Sequence, residues 1–485
     1  MNRIVSIDLG SSNLKMTLFS EEGAVLRELR RPTPLHRQDG VRVEIEPEEV
    51  VDVLKDLFAE MAGGAADFAA TLAAVTVTGM AKSELPLDRT GKILAPCITW
   101  MDRRCQGMER RSYAPIAARL QHYPVISNCL PFKLEWMRRE EPETYRRSYK
   151  WVNIVDYIQM RLSGNTRAVT DYTEACRSMV YDSPRERWDE AVADFFDIDL
   201  ALMPEVEPSS TILGTIAPEF VTDCEAFVVL GGHDHMCAAK AACMDRLGSP
   251  PLLSTGTSEI LALPYEGGMP DELPGCNLDH QTDPGRLALV GCVARSGETM
   301  RWADGLFGLY EQAQDPALAD RLLGDPENIP LFVPPYRYSD TGRGGGFSQL
   351  AGTTGKAELS LSVLEGISHA SSLLCEDMER AAGEAAEQIS LVGGFTGIHE
   401  LLRLKAAAFD KTLAVYPNLD MASLGGFLIC VQALQPQLDM RTFCRQTLSA
   451  QEHFIVEPDE RLAAAMQSRR ERYRRLAANL EEVSA

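Results

Sequence analysis

Asp8 closes a short apolar run and is followed by Gly10-Ser11-Ser12-Asn13 and Lys15. A tight polar turn of this kind points backbone N–H groups at an anion, and the carboxylate beside it can hold Mg2+ next to bound phosphates. An Asp-x-Gly hairpin on its own serves structure just as well. Recurrence favours the anion reading, because Thr255-Gly256-Thr257-Ser258 forms a second turn of the same type about 245 residues further on. Gly393-Gly394-Phe395 lies between a strand pattern and a helix pattern, a nucleotide-site candidate in which a helix N-terminus meets phosphate. Asp234 stands just past the apolar run 226–230 and Gly231-Gly232. A carboxylate at a strand's C-terminal end suits a general base, which must lie within hydrogen-bond reach of the hydroxyl that it deprotonates. His233 and His235 flank it, but two imidazoles without a nearby cysteine fall short of a zinc set, so zinc is not expected there.

The elements that must position these residues follow from periodicity and turn signals. Strands over 4–9, 14–19 and 24–29 form an antiparallel meander. A helix follows Pro47, with Val50, Leu54, Leu57, Phe58 and Met61 at helical spacing, and Gly63-Gly64 ends it. A strand over 73–78 comes next, then helices over 132–138 and 152–162, the second stopping at Ser163-Gly164. The second half repeats the theme: a hairpin over 251–263, a helix over 361–382 and a strand over 389–392 that ends in Gly393-Gly394. The pattern is α/β in two similar halves. The Pro-rich interval with Pro204, Pro208 and Pro218 sets the boundary near residue 225, giving domains 1–225 and 226–485 with a cleft expected between them.

The chain has 485 residues, enough for two large domains. Its 70 acidic against 48 basic side chains leave a net charge of −22, which repels nucleic-acid phosphates and anionic membranes alike. Neither partner is expected. The twelve cysteines are scattered from Cys97 to Cys444 without a CxxC pair, the usage of a reduced, cytoplasmic protein. The chain opens on an apolar strand rather than a secretory leader, and no run approaches the ~18 apolar residues that cross a bilayer. The basic stretch 469–475 reads as a solvated helix face, with Glu481 and Glu482 nearby.

Taken in order, these residues resemble the FGGY family of carbohydrate kinases, whose actin-like (ribonuclease H-like) fold is shared with hexokinase and ATP-driven chaperones. The run Ile7-Asp8-Leu9-Gly10-Ser11-Ser12-Asn13-Leu14-Lys15 is similar to the family's phosphate hairpin, with Ser11 where Thr is usual. Thr99-Trp100-Met101-Asp102-Arg103-Arg104 resembles its Trp-x-Asp-x-Arg substrate segment. Lys133-Leu134-Glu135-Trp136, Asp156-Tyr157 and Thr170-Asp171-Tyr172 follow in family order. Gly256-Thr257-Ser258 resembles the second phosphate motif, and Gly393-Gly394-Phe395-Thr396 the adenosine motif. The likeness runs from Ile4 to about Cys430.

The resemblance implies a kinase that uses ATP and Mg2+. It places the general base on Asp234 and the metal-organising carboxylate on Asp8. Gly10, Ser11, Ser12, Lys15, Gly256 and Thr257 fall on phosphate-binding positions, and Gly393, Gly394 and Phe395 on the adenosine site. Trp100 and Asp102 fall on sugar-site positions, although residue type alone makes Trp100 a packed core tryptophan. The chain departs from the family at Gly79-Met80-Ala81-Lys82-Ser83-Glu84, where xylulokinase-like members carry Gly-Gln-Met-His-Gly and glycerol kinases an Arg-Glu pair. Glycerol is therefore not the expected acceptor. Lys82 is either a point charge for a sugar hydroxyl or phosphate, or a solvated loop lysine. The expected reaction is phosphorylation of a keto-pentose such as xylulose or ribulose. Alternatives are a hexulose or four-carbon polyol kinase, and a catalytically inactive sugar- or nucleotide-binding relative. A homodimer is compatible with the likeness.

Overall fold

The first 32 residues fold into three antiparallel strands, as the meander pattern predicts: β1 (Arg3–Leu9), β2 (Asn13–Phe19) and β3 (Val25–Pro32). Asp8 lies opposite Lys15 in the β1–β2 register. The amphipathic helix α1 (Pro47–Gly63) buries Val50, Leu54, Leu57, Phe58 and Met61, the residues that share one face at helical spacing. β4 (Leu72–Gly79) then runs parallel to β1, with Thr78 beside Asp8. The helix α2 (Leu130–Glu140) covers the predicted 132–138. α3 differs from expectation: it spans Ile154–Ser163, because Asn153 caps its N-terminus in a capping box with Asp156. Lys150–Asn153 instead pairs as a strand with Glu84–Leu87.

β5 (Ile212–Thr215) and β6 (Phe227–Val229) complete a six-stranded sheet in the order β5-β6-β4-β1-β2-β3. The short helix α4 (Asp234–Ala241) follows β6. Its glycine lead-in is dictated by close approach. A Cβ on Gly231 would stand 2.0 Å from Val77 O, and one on Gly232 would stand 2.4 Å from Thr173 Oγ1.

The computed structural model describes residues 2–64, 67–120, 125–268, 270, 273, 275–335 and 345–484, and they divide into two units. Unit 1 holds the chain up to Cys243, Leu278–Leu287 and Asp420–Leu448; unit 2 holds Met244–Asn277, Ala288–Leu419 and the rest from Ser449. Unit 2 begins with the hairpin β7 (Leu252–Thr255) and β8 (Glu259–Tyr265). It continues through α5 (Ser296–Phe307), the long buried helix α6 (Lys356–Ala382) and β9 (Gln388–Gly393), which pairs parallel to β7. α7 (His399–Phe409) leads to β10 (Thr412–Tyr416), parallel to β9.

The chain then returns to unit 1 as α8 (Met421–Leu434), which packs on α4, with Phe427 5.1 Å from the ring of Phe19. β11 (Phe454–Val456) and α9 (Glu460–Ser484) close unit 2. Here the solvated reading of 469–475 holds for Glu471, Arg474 and Arg475, which are exposed, and fails on the opposite face. Arg469 is 2% exposed and pairs bidentately with Glu365, at 2.6 and 2.9 Å, while it also donates to Ile329 O. A buried carboxylate draws in a guanidinium that fits it in two-point geometry. Tyr473 is buried on the same helix, and the side chains of Glu481 and Glu482 lie outside the described residues. All twelve cysteines are free and most are buried. Among the described residues no helix is long and apolar enough to cross a membrane.

Candidate active site

The β1–β2 turn is closed by Gly10 N–H donating to Asn13 O at 3.1 Å and by Thr33 Oγ1 donating to Gly10 O at 2.6 Å. Ser12 is exposed and Ser11 half-buried, so the turn is open on one side. Trp100 is 43% exposed and donates from Nε1 to Ser11 Oγ at 2.9 Å, so it is not a core tryptophan. Lys15 Nζ sits between two carboxylates, 3.1 Å from Asp8 Oδ2 and 2.6 Å from Asp420 Oδ2. Burial and the Asp420 charge push the Asp8 carboxyl up to about 7, against the pull of Lys15. Asp8 Oδ1 is buried without a hydrogen-bond partner. An oxygen left open in this way beside a glycine-serine turn fits a hard divalent cation such as Mg2+.

Asp234 is the first residue of α4 and His233 its N-cap. The segment is clamped from two sides. Gln159 Oε1 accepts the Gly231 N–H at 2.6 Å, and Thr173 Oγ1 accepts the His233 N–H at 2.7 Å, itself held by Asp171. Gly79 at the end of β4 bridges to His233, which brings the segment after β4 alongside. The Asp234 Oδ1 accepts the His235 N–H at 2.6 Å, and among the described residues Oδ2 has no hydrogen bond. His233 is buried, and that burial, with the charge of His235, Arg177 and Lys82, holds its imidazole well below the usual histidine range.

Lys82 has a left-handed backbone, φ 54°, uncommon for a residue with a side chain. Lys133, itself buried, fixes it there by donating to Lys82 O at 2.6 Å, Glu84 Oε2 at 2.5 Å and Ile98 O at 2.9 Å. Among the described residues the Lys82 ammonium makes no hydrogen bond; burial and nearby Arg177 lower its pKa, against the opposing pull of Cys129, Asp279 and Glu84. Asp102 behaves otherwise. Its Oδ2 accepts Val43 N–H at 2.8 Å and Arg104 Nη2 at 2.7 Å, and Oδ1 accepts Arg104 N and Nε, both at 2.9 Å. That carboxylate is committed to the protein. Unit 1 thus brings Asp8, Lys15, Gly10, Ser11, Ser12 and Trp100 together, and Lys82 to the neighbourhood of Asp234, while Asp102 is spent on Arg104.

In unit 2, Gly256 N–H donates to Ser258 O at 3.1 Å and Thr257 is exposed. The turn is braced by α5, whose Gly297 N–H donates to Thr257 O at 3.0 Å, and by Arg295 N–H on Ser258 Oγ at 2.9 Å. Gly394 N–H donates to Thr255 O at 2.8 Å. Gly393 has φ 104°, and a Cβ there would stand 1.9 Å from Thr255 O, so only glycine lets β7 and the loop after β9 meet. Gly393 and Gly394 are exposed, whereas the Phe395 ring is packed into the unit 2 core.

Sequence reasoning missed Asp420, Lys133, Arg177 and Asp279. Arg177 and the buried Asp279 pair at 2.6 Å. Glu174 was also missed; both of its carboxylate oxygens are buried without a partner, and burial and nearby Asp156 raise its pKa well above the usual carboxylate range. Only the apolar setting of Lys133 in α2 could have flagged any of these. The others are joined by tertiary contacts between distant segments.

Two α/β units, each carrying a glycine-turn hairpin, have the architecture of ATP-dependent phosphotransferases. Residues 3–240 match the N-terminal domain, and residues 252–434 the C-terminal domain, of the FGGY family of carbohydrate kinases; the chain belongs to that family. It is a carbohydrate kinase with ATP as cosubstrate and a small-molecule sugar as acceptor. It is 26% identical to a protein of Escherichia coli (strain K12) named xylulose kinase, over 99% of this chain and 100% of that one. A xylulose kinase of Lactococcus lactis is 24% identical over 85% and 84% of the two chains. The crystal structure of xylulose kinase from Rhodospirillum rubrum has a TM-score of 0.89 at 21% identity, over 99% of each chain. The expected two-domain, actin-like α/β fold is thereby shown.

Proposed function

We propose that the protein transfers the γ-phosphoryl of ATP to a hydroxyl of a keto-pentose, xylulose or ribulose. The observation that carries this reading is Asp234: its Oδ1 is held by the His235 N–H and its Oδ2 has no hydrogen bond among the described residues, in a segment clamped by Gln159 and Thr173. A carboxylate fixed in this way takes the proton of the attacking hydroxyl as the phosphoryl leaves ADP. The turn amides of Gly10, Ser11 and Ser12, with Lys15, bind ATP phosphate in unit 1. Gly256 and Thr257 do so in unit 2, where Gly393, Gly394 and the backbone of Phe395 take the adenosine. Asp8, through Oδ1, would hold Mg2+, which supplies positive charge against the phosphates. Trp100 and the Lys82 ammonium face the sugar, while Asp102 shapes that wall through Arg104. The relatives named xylulose kinase support a five-carbon ketose. We place the reaction in the cytoplasm, where ATP is made.

The test is a coupled ADP-release screen over ketoses, aldoses and polyols. The expected result is the highest kcat/KM with xylulose or ribulose. A hexulose or four-carbon polyol used better than either, or no acceptor-dependent ADP release at all, overturns the proposal.

A further inference from the structure

Asp234 stands between two imidazoles whose placement the mechanism above does not use. His233 Nε2 lies 3.4 Å and His235 Nε2 3.9 Å from Asp234 Oδ1, and one ligand atom from each of the three residues lies within 4.8 Å of the others. The two rings are 5.0 Å apart between centroids. Tetrahedral zinc, bound at about 2.0–2.2 Å, holds neighbouring ligand atoms roughly 3.3–3.5 Å apart. The His233–Asp234 distance already meets that spacing. His235 is 37% exposed and can close its shortfall by side-chain rotation. His233 is 6% exposed, and its Nδ1 has no hydrogen-bond partner, so this buried ring is committed to nothing else. By count, two imidazoles fall short of a structural zinc set; in space, two imidazoles and a carboxylate make the open three-ligand set that leaves a fourth position for water.

We propose that His233, Asp234 and His235 form a binding site for a borderline divalent transition ion, Zn2+ being the probe that fits, and that the ion competes with acceptor phosphorylation. Two imidazole nitrogens with one carboxylate select zinc, cobalt or nickel over magnesium or calcium. Lys82 and Arg177 act on His233 and oppose a cation, so affinity comes from the three donor atoms rather than from the surrounding charge. A bound ion takes the lone pairs of Asp234 that would otherwise receive the hydroxyl proton. This inhibitory consequence rests on Asp234 being the base; the binding site does not.

The experiment uses the full chain, its thiols reduced and its metals stripped by a chelator. Zn2+ is titrated in competition with a chromophoric chelator, and Co2+ serves as a spectroscopic probe. One equivalent of Zn2+ is expected to bind, with Co2+ absorption lacking a thiolate charge-transfer band. His235→Ala is expected to weaken Zn2+ tenfold or more, since losing even a group that merely orients a ligand costs about 10- to 100-fold. His235→Gln, which keeps bulk and polarity, is the second variant, and an unchanged melting temperature shows that each remains folded. Unaltered Zn2+ affinity in both variants, or a thiolate band, overturns the site. In the activity arm, Zn2+ is expected to inhibit acceptor-dependent ADP release in the parent and at least tenfold less in His235→Gln. Zn2+ that binds at the site but leaves turnover untouched sustains the site and overturns the base assignment instead.

Discussion

Lys82 is the side chain on which we propose that acceptor choice turns. Its backbone is held in the left-handed region by Lys133, and its ammonium is partly buried without an acceptor among the described residues. Removing an amine from water without a partner costs free energy, and a sugar hydroxyl that accepts from it recovers that cost. Lys82→Met keeps an unbranched chain of similar length, so the backbone cost at φ 54° carries over and the ammonium alone is removed. The variant is expected to lose ~1.5–3 kcal/mol of transition-state stabilisation with the true acceptor, the scale of one hydrogen bond to a charged group. That is roughly 10- to 150-fold in kcat/KM. Acceptor-free ATP hydrolysis should stay unchanged, because it calls on the phosphate turns rather than on this loop. Equal kcat/KM of parent and variant would return Lys82 to structure.

At the level of elements, the β7–β8 hairpin is tied to two helices by a charge pair with no access to water. Lys405 of α7 lies 2.8 Å from Glu259 of β8, both 0% exposed at the side chain, and Ser371 of α6 donates to the same carboxylate oxygen. Glu259 is the register partner of Thr255, so the pair fixes the last residues before the β7–β8 turn. Breaking a buried pair leaves an uncompensated charge, which costs about 3–5 kcal/mol, whereas removing both partners costs far less. Lys405→Met should therefore lower the thermal midpoint sharply, and the Glu259→Gln/Lys405→Met double variant should recover part of the loss. A single variant no less stable than the double would refute the pair's role.

The hairpins, α1 and the strand–glycine signals at 231 and 393 were legible in the sequence because local patterning fixes them. The Lys150–Asn153 strand was not, since four residues next to a helix carry no period of their own. Asp420, Asp279 and Arg469 were illegible for another reason. Each meets its partner only after chain segments more than a hundred residues apart come together.

For the whole molecule, charge and burial act together on stability. A net charge of −22 repels itself in the compact state, and unit 1 also buries several carboxyls whose pKa is raised: Asp8 to about 7, with Asp156, Asp171 and Glu174 also moved upward by burial. A carboxyl raised above its unfolded value of about 4 binds more protons when folded, so its contribution is present at low pH and lost as pH rises through the folded pKa. Asp102 works in the opposite sense: burial raises it, but hydrogen bonds from Arg104 and Val43 more than offset that and lower it, so its contribution is lost only as pH falls below the usual carboxylate range. The melting temperature of the ligand-free protein is therefore expected to be highest near pH 5–6 and to fall steadily toward pH 8. Salt separates the two causes. Raising NaCl screens the surface repulsion within about a Debye length, but it leaves the desolvation of buried carboxyls untouched. The fall from pH 6 to pH 8 should shrink in high salt and yet persist, as followed by dye-reported melting across a pH and salt grid. A melting temperature that rises from pH 6 to pH 8 would overturn the buried-carboxyl account, and a slope abolished by salt would assign the whole effect to the surface.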